Sequence, residues 1–122
     1  MTKRVYIAEH SNSVRNRIHQ AVARIDSFEV VGEANAAHNA VAAIDDLDPD
    51  IVITDVLLKD ANGIDLVKRV RARHGPERPA IYVLGHRLSA THRSALAAAG
   101  ANGFFDRSRG YSPLLSEMHG GA

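Results

Sequence analysis

The chain has 122 residues, enough for one domain with a real core, and its 45% hydrophobic and 24% charged content is that of an ordinary globular protein. It has no cysteine, which excludes disulfides and thiolate metal centres, and a formal net charge of +1, too small to point to direct nucleic-acid binding. No apolar run is long enough to cross a bilayer, and Met1-Thr2-Lys3-Arg4 leads straight into a strand pattern, so the expectation is a cytoplasmic protein without a membrane segment.

Val5-Tyr6-Ile7-Ala8 reads as a first strand, followed by a helix capped by Ser11 or Asn12 that buries Val14, Ile18, Ala21, Val22 and Ile25 at helical spacing. A second strand is expected from Phe28 to Val31, closed by Gly32, then a helix capped by Asn35 and stopped at Pro49. Ile51-Val52-Ile53 is a short β-branched run of the kind buried on both faces, and it delivers Asp55 to the end of a third strand. Asn62-Gly63 starts a third helix, with Ile64, Val67 and Val70 inward; Arg69, Arg71 and Arg73 near its end read as a solvated face that suits the helix dipole. Ala80 to Leu84 is a fourth strand, Ser89 caps a fourth helix that ends at Gly100, and Gly103-Phe104-Phe105 is a fifth strand. Ser112-Pro113 opens a last, short helix.

Five strands alternating with five helices imply an α/β fold: a single domain over residues 1–122, with a doubly wound five-stranded parallel sheet in the order 2-1-3-4-5, flavodoxin-like. That order sets the ends of strands one and three side by side, so Glu9 and His10 should lie next to Asp55. Ligand chemistry in such sheets sits beyond the carboxyl ends of the strands, which makes Asp55 the first candidate functional side chain. No serine stands in a nucleophile-elbow setting, and Glu9 places negative charge where a flavin phosphate would sit, so neither a hydrolase nor a flavoprotein is indicated.

Taken in order, Pro49-Asp50-Ile51-Val52-Ile53-Thr54-Asp55, Asn62-Gly63, Val30-Val31-Gly32-Glu33-Ala34 and Gly100-Ala101-Asn102-Gly103-Phe104-Phe105 resemble the response-regulator receiver domain of two-component signalling over residues 3 to 118. The resemblance implies a non-enzymatic phosphorelay module with Asp55 as phosphoacceptor. It further implies two acidic Mg²⁺ ligands after strand one, a hydroxyl residue after strand four, an aromatic switch on strand five and a lysine after it. The matching positions read Glu9 and His10, Gly85, Phe104 and Arg107. Glu9 and Asp55 remain as metal ligands, but His10 is a poor partner for a hard, oxygen-seeking ion. A carboxylate lost about 4 Å from a cation removes roughly 4 kcal/mol per unit of cation charge at an effective dielectric near 20, so Mg²⁺ binding should be weakened. Gly85 has no hydroxyl and Phe104 no phenol, while Arg107 keeps its charge, and either Arg107 or His10 is expected to pair with Asp55.

The leading expectation is therefore a pseudo-receiver that acts mainly as a protein-interaction module. Its partners would be signalling proteins such as a histidine kinase or phosphotransfer protein, or a second copy joined through helix four, strand five and helix five. That surface would carry His92, Arg93, Phe104, Arg109 and Tyr111, and the short last helix should leave apolar surface for a partner. The alternatives are a working receiver phosphorylated on Asp55, and a transition-metal or pH-sensing pocket in which His10 and His86 join Glu9 and Asp55.

Overall fold

The structure, a computed structural model, describes residues 2–120. Its strands are β1 (Lys3–Ala8), β2 (Phe28–Ala34), β3 (Ile51–Asp55), β4 (Ala80–Gly85) and β5 (Gly103–Asp106). They alternate with helices α1 (Asn12–Ala23), α2 (Ala37–Leu47), α3 (Gly63–His74), α4 (Ala90–Ala99) and α5 (Ser112–Gly120), with a 3-10 turn over Arg107–Arg109 before α5. All pairings are parallel, in the expected order β2-β1-β3-β4-β5.

Side-chain alternation along the strands divides the core in two. Tyr6, Ala8, Val52, Ile81 and Val83 face Ile44 of α2, Leu66, Val67 and Val70 of α3, and Leu96 of α4. Val5, Ile7, Ile53 and Leu84 face the other way, onto Ile18 and Val22 of α1 and Leu114 and Met118 of α5. With only nine residues α5 still seals its side, because Leu114 and Met118 are each 1% exposed. The apolar surface expected beside it is therefore covered, and among the described residues the exposed large hydrophobic is Leu57, at the mouth of the site.

Three local expectations are corrected. β2 runs on through Gly32 to Ala34, because a register shift opposite Val5 and Tyr6 lets the pairing continue. A Cβ on Gly32 would stand 2.8 Å from the Tyr6 ring, so this glycine serves packing inside the strand. α2 is capped by neither Asn35 nor any side chain of its own N-terminus. Asp60, from the loop after β3, instead accepts the amides of Ala37 and His38. The third correction concerns the arginines of α3. Arg71 donates to the Gly100 carbonyl at 3.0 Å and to Asn102 Oδ1 at 2.9 Å, and Asn102 Oδ1 also accepts the Ile81 amide at 2.7 Å. Arg73 and His74 both hold Asp45 of α2. Two of the three arginines thus tie elements together, and Arg69 stays exposed.

Gly63 connects this scaffold to the site. A Cβ there would lie 2.5 Å from the Asp55 carbonyl oxygen, and the Gly63 amide donates to the Val56 carbonyl at 2.6 Å. Gly63→Ala should lower stability by about 1–3 kcal/mol in urea denaturation and shift the resonances of Asp55 and Val56. Asp60 is held well below the usual carboxylate range, first by the His38 side chain and then by the Ala37 and His38 amides. A depressed folded pKa stabilises above the unfolded value and is lost on acidification. Asp60→Ala should therefore melt lower than the wild type at neutral pH, with the gap beginning to close below the ordinary value of 3.8.

Candidate functional site

The carboxyl ends of β1 and β3 meet as the strand order requires, since Ala8 pairs with Thr54. The chain turns sharply after each strand. Ser11 caps α1, its hydroxyl accepting the Val14 amide, and Asn62 caps α3 by accepting the Asp65 amide at 2.9 Å. These two turns aim His10 from one side and Asp55 from the other into a cleft of about 360 Å³, with Glu9 buried next to His10. The cleft is lined by Asp55, His10, Leu57, Leu88 and Arg107, among others.

Asp55 is 4% exposed. Its Oδ1 accepts the Val56 amide at 2.7 Å and its Oδ2 lies 3.0 Å from His10 Nδ1. The same Nδ1 is 3.0 Å from the Leu57 carbonyl oxygen and 3.3 Å from Glu9 Oε2. A carbonyl oxygen and a carboxylate can only accept, so these partners assign the ring hydrogen to Nδ1. One N–H group is thus surrounded by three oxygens. The ring is otherwise 45% exposed, so its far edge faces water.

Glu9 is fully buried. Its Oε2 accepts the Ser11 amide at 2.9 Å, whereas Oε1 has no hydrogen-bond partner. Burial pushes its pKa up to about 7; the Ser11 amide opposes this, the Asp55 carboxylate adds to it, and His10 opposes it. The cation nearest to the orphaned oxygen is Arg107, with Nη1 3.9 Å from Oε1. Of the two expected partners of Asp55, His10 takes the carboxylate, and Arg107 leans toward Glu9 instead. A 3-10 turn begins at Arg107 just after β5, and Asp106 anchors that turn by accepting the Ser108 amide and hydroxyl.

Gly85 ends β4 beside the acceptor, but its neighbourhood is filled. A Cβ there would meet Leu88 Cδ2 and Val56 Cγ2, each at 2.8 Å. Leu88 is brought inward by Arg87, whose backbone is left-handed (φ 56°), an unusual state for a residue that is not glycine. His86 lines the same cleft but is exposed and stands outside the cluster; among the described residues, the ligating atoms that come together are those of Glu9, His10 and Asp55, all within 4.8 Å of one another. Phe104 is half-buried on β5, with the Arg93 guanidinium 5.8 Å from its ring centroid. Leu88 and Leu57 were missed in the sequence because neither is polar, and only the fold shows that they stand at the acceptor.

The residues do not fit Mg²⁺ as arranged. The three oxygens that would share a hard cation share a ring N–H instead, and an imidazole is a poor substitute for the missing carboxylate. An acid whose folded pKa is raised binds more protons when folded, so stability falls as pH rises through the window from 4.5 to about 7. Glu9→Gln, which removes the charge, should melt well above the wild type near pH 8, by on the order of 2–3 kcal/mol, with the advantage shrinking toward zero near pH 4. Paired thermal melts across that range measure it.

The description of the response regulator receiver domain matches residues 5–117. The chemotaxis protein CheY of Thermotoga maritima is 34% identical over 70 residues, covering 57% of this chain and 58% of that protein. The protein-glutamate methylesterase/protein-glutamine glutaminase of Agrobacterium fabrum is 35% identical over 98 residues, 80% of this chain but 26% of that protein. The chain thus spans between about a quarter and three-fifths of these two relatives. A LuxR-family two-component response regulator from Aurantimonas shares the fold, with a TM-score of 0.91 at 23% identity over 98% of this chain and 84% of that one. So does the signal receiver domain of a NarL regulator from Mycobacterium tuberculosis, with a TM-score of 0.86 at 20% identity over 99% and 98% of the two chains. With its parallel sheet, its acidic cleft at the ends of β1 and β3 and this match over nearly its whole length, the chain belongs to the response-regulator receiver family of two-component signalling.

Proposed function

We propose that this receiver domain is a pseudo-receiver: a protein-interaction module whose signalling does not run through Mg²⁺-assisted phosphorylation of Asp55. The observation that carries the reading is the placement of His10 Nδ1, 3.0 Å from Asp55 Oδ2 and from the Leu57 carbonyl and 3.3 Å from Glu9 Oε2. An N–H in that position occupies the acceptor oxygen and satisfies the charge that would otherwise attract the ion. The crowding at Gly85 supports the reading independently. The pocket is closed by Leu88 and Val56 where a hydroxyl would follow an incoming phosphoryl group, and Phe104 on β5 has no hydroxyl to relay the change.

With the pocket fixed, the partner surface is the output. It is made by α4, β5 and α5, where Arg93, Phe104, Phe105, Arg109 and Pro113 line a shallow groove. A signalling protein or a second copy of the chain would bind there without a phosphorylation signal.

A second reading is a slow but working receiver. It is favoured by the retained, buried Asp55 and by Arg107, a cation within reach of the acidic centre. The two readings separate on one assay. With a small-molecule phosphodonor and Mg²⁺, the pseudo-receiver gives no stable labelling of Asp55; efficient labelling abolished by Asp55→Asn would sink it. His10→Asp should restore saturable Mg²⁺ binding, while His10→Asp combined with Gly85→Thr should be less stable than His10→Asp alone, because the added atoms collide with Leu88 and Val56. Isothermal calorimetry and urea denaturation read the two effects.

A further inference from the structure

We propose that the face made by α4, β5 and the start of α5 is a receptor for an acidic segment of a partner protein. Carboxylates of that segment meet the guanidinium groups of Arg93 and Arg109, and an apolar side chain rests on Phe104 and Phe105. The proposal rests on the interaction-module reading and names the chemistry of the partner.

Charge is unevenly distributed along the chain. Residues 86–113 carry four arginines and two histidines against one aspartate, a formal +3 in a chain whose total is +1, so all other residues together sum to −2. α4 itself has no acidic residue. The fold gathers these cations on one side. Arg93 and Arg109 line a groove of about 350 Å³ with Phe104, Phe105 and Pro113. His86, Arg87, His92 and Arg107 line the neighbouring cleft.

The guanidinium groups of the groove are unengaged. Arg15, Arg73 and Arg78 pair with carboxylates elsewhere, but among the described residues Arg87, Arg93 and Arg109 make no ion pair and no side-chain hydrogen bond. The carboxylate that lines the groove, Asp106, is occupied within its own turn, where Oδ1 accepts the Ser108 amide at 2.9 Å and the Ser108 hydroxyl at 2.8 Å. The Arg93 guanidinium lies 5.8 Å from the Phe104 ring centroid, a cation–π distance that steadies the planar group while its N–H edges stay open. A steadied fork of N–H donors matches a carboxylate in two-pronged fashion, which the single ammonium of a lysine does not. Phe104 and Phe105 are half-buried, so the same groove offers apolar surface beside the charge.

A second copy of the chain is a poor occupant. In a two-fold interface the same patch meets itself, which would set this cluster of arginines against its own counterpart. Like charges opposed across an interface disfavour that pairing. Head-to-tail pairing through the acidic run between Asp45 and Asp50 is blunted as well, because Arg73 and His74 hold Asp45, and Arg78 holds Asp48 and Asp50. A nucleic acid also matches less well. Its backbone charge continues past the patch toward a remainder of the chain that sums to −2, whereas a short acidic segment ends with the patch.

The test uses the full, unphosphorylated chain and a short fluorescein-labelled peptide in which Glu and Asp residues flank a central Leu-Phe pair. Fluorescence anisotropy should show saturable binding that weakens as salt is raised. In nitrogen-15 NMR the amide shifts that move on binding should fall in α4, β5 and α5. Arg93→Ala and Arg109→Ala should each weaken the peptide by about 3- to 5-fold, the upper range for exposed ion pairs. Arg69→Ala, at an arginine of α3 outside the face, should leave affinity unchanged; all three arginines are exposed, so the variants fold. The proposal is overturned by the absence of saturable binding, by Arg93→Ala and Arg109→Ala binding as Arg69→Ala does, by a single-stranded oligonucleotide of equal charge binding more tightly than the peptide, or by a dimer in sedimentation equilibrium that the amide shifts place on this face. Peptide binding that appears only after treatment with a phosphodonor would refute the interaction-module reading and leave the chemistry of the face standing. Failure of the peptide to bind leaves that reading to the labelling of Asp55, which decides it separately.

Discussion

The site depends on one arrangement: a carboxylate at Glu9, fully buried beside a second at Asp55, with an imidazole N–H between them. Two neighbouring buried carboxylates repel and are poorly solvated, so something positive or hydrogen-donating must stand with them. Here that partner is supplied by the chain itself. His10 follows Glu9 directly, and the turn into α1 capped by Ser11 brings its ring back over Asp55. The strand order, the glycine against the Asp55 carbonyl and the loop held by Asp60 all serve to keep His10 Nδ1 3.0 Å from Asp55 and 3.3 Å from Glu9.

From this arrangement the rest of the pocket follows. Because Nδ1 engages Asp55, Arg107 is left to face Glu9 from a distance at which it screens charge without bonding. Space that a larger side chain at Gly85 would require is instead filled by Leu88, which follows the left-handed Arg87, and by Val56. The cleft is consequently polar on the Glu9 side and apolar on the Gly85 side.

Much of the fold was legible in the sequence. Alternation of short β-branched runs with amphipathic helices fixed the element order, and β-strand ends in a 2-1-3-4-5 sheet placed Glu9, His10 and Asp55 together before any coordinates. What stayed hidden depended on partners distant in sequence. Asp60 caps a helix 23 residues earlier, and Arg71 stitches to Gly100, 29 residues on. Neither carries a local pattern, and Arg71 reads as surface charge until its neighbours are known. Gly32 was mistaken for a strand end because a glycine that packs against a tyrosine ring looks the same as one that turns the chain. At the site, residue identities suggested either Arg107 or His10 as the companion of Asp55; the structure decides for His10, with Arg107 toward Glu9.

The most direct test is nitrogen-15 NMR of the His10 imidazole while Mg²⁺ is added to the metal-free chain. The account predicts an Nδ1–H signal that is hydrogen-bonded, lost or shifted in Asp55→Ala, and unmoved by millimolar Mg²⁺. A saturable Mg²⁺ response, with Nδ1 released to a solvent-like shift as Glu9 and Asp55 change together, would contradict it.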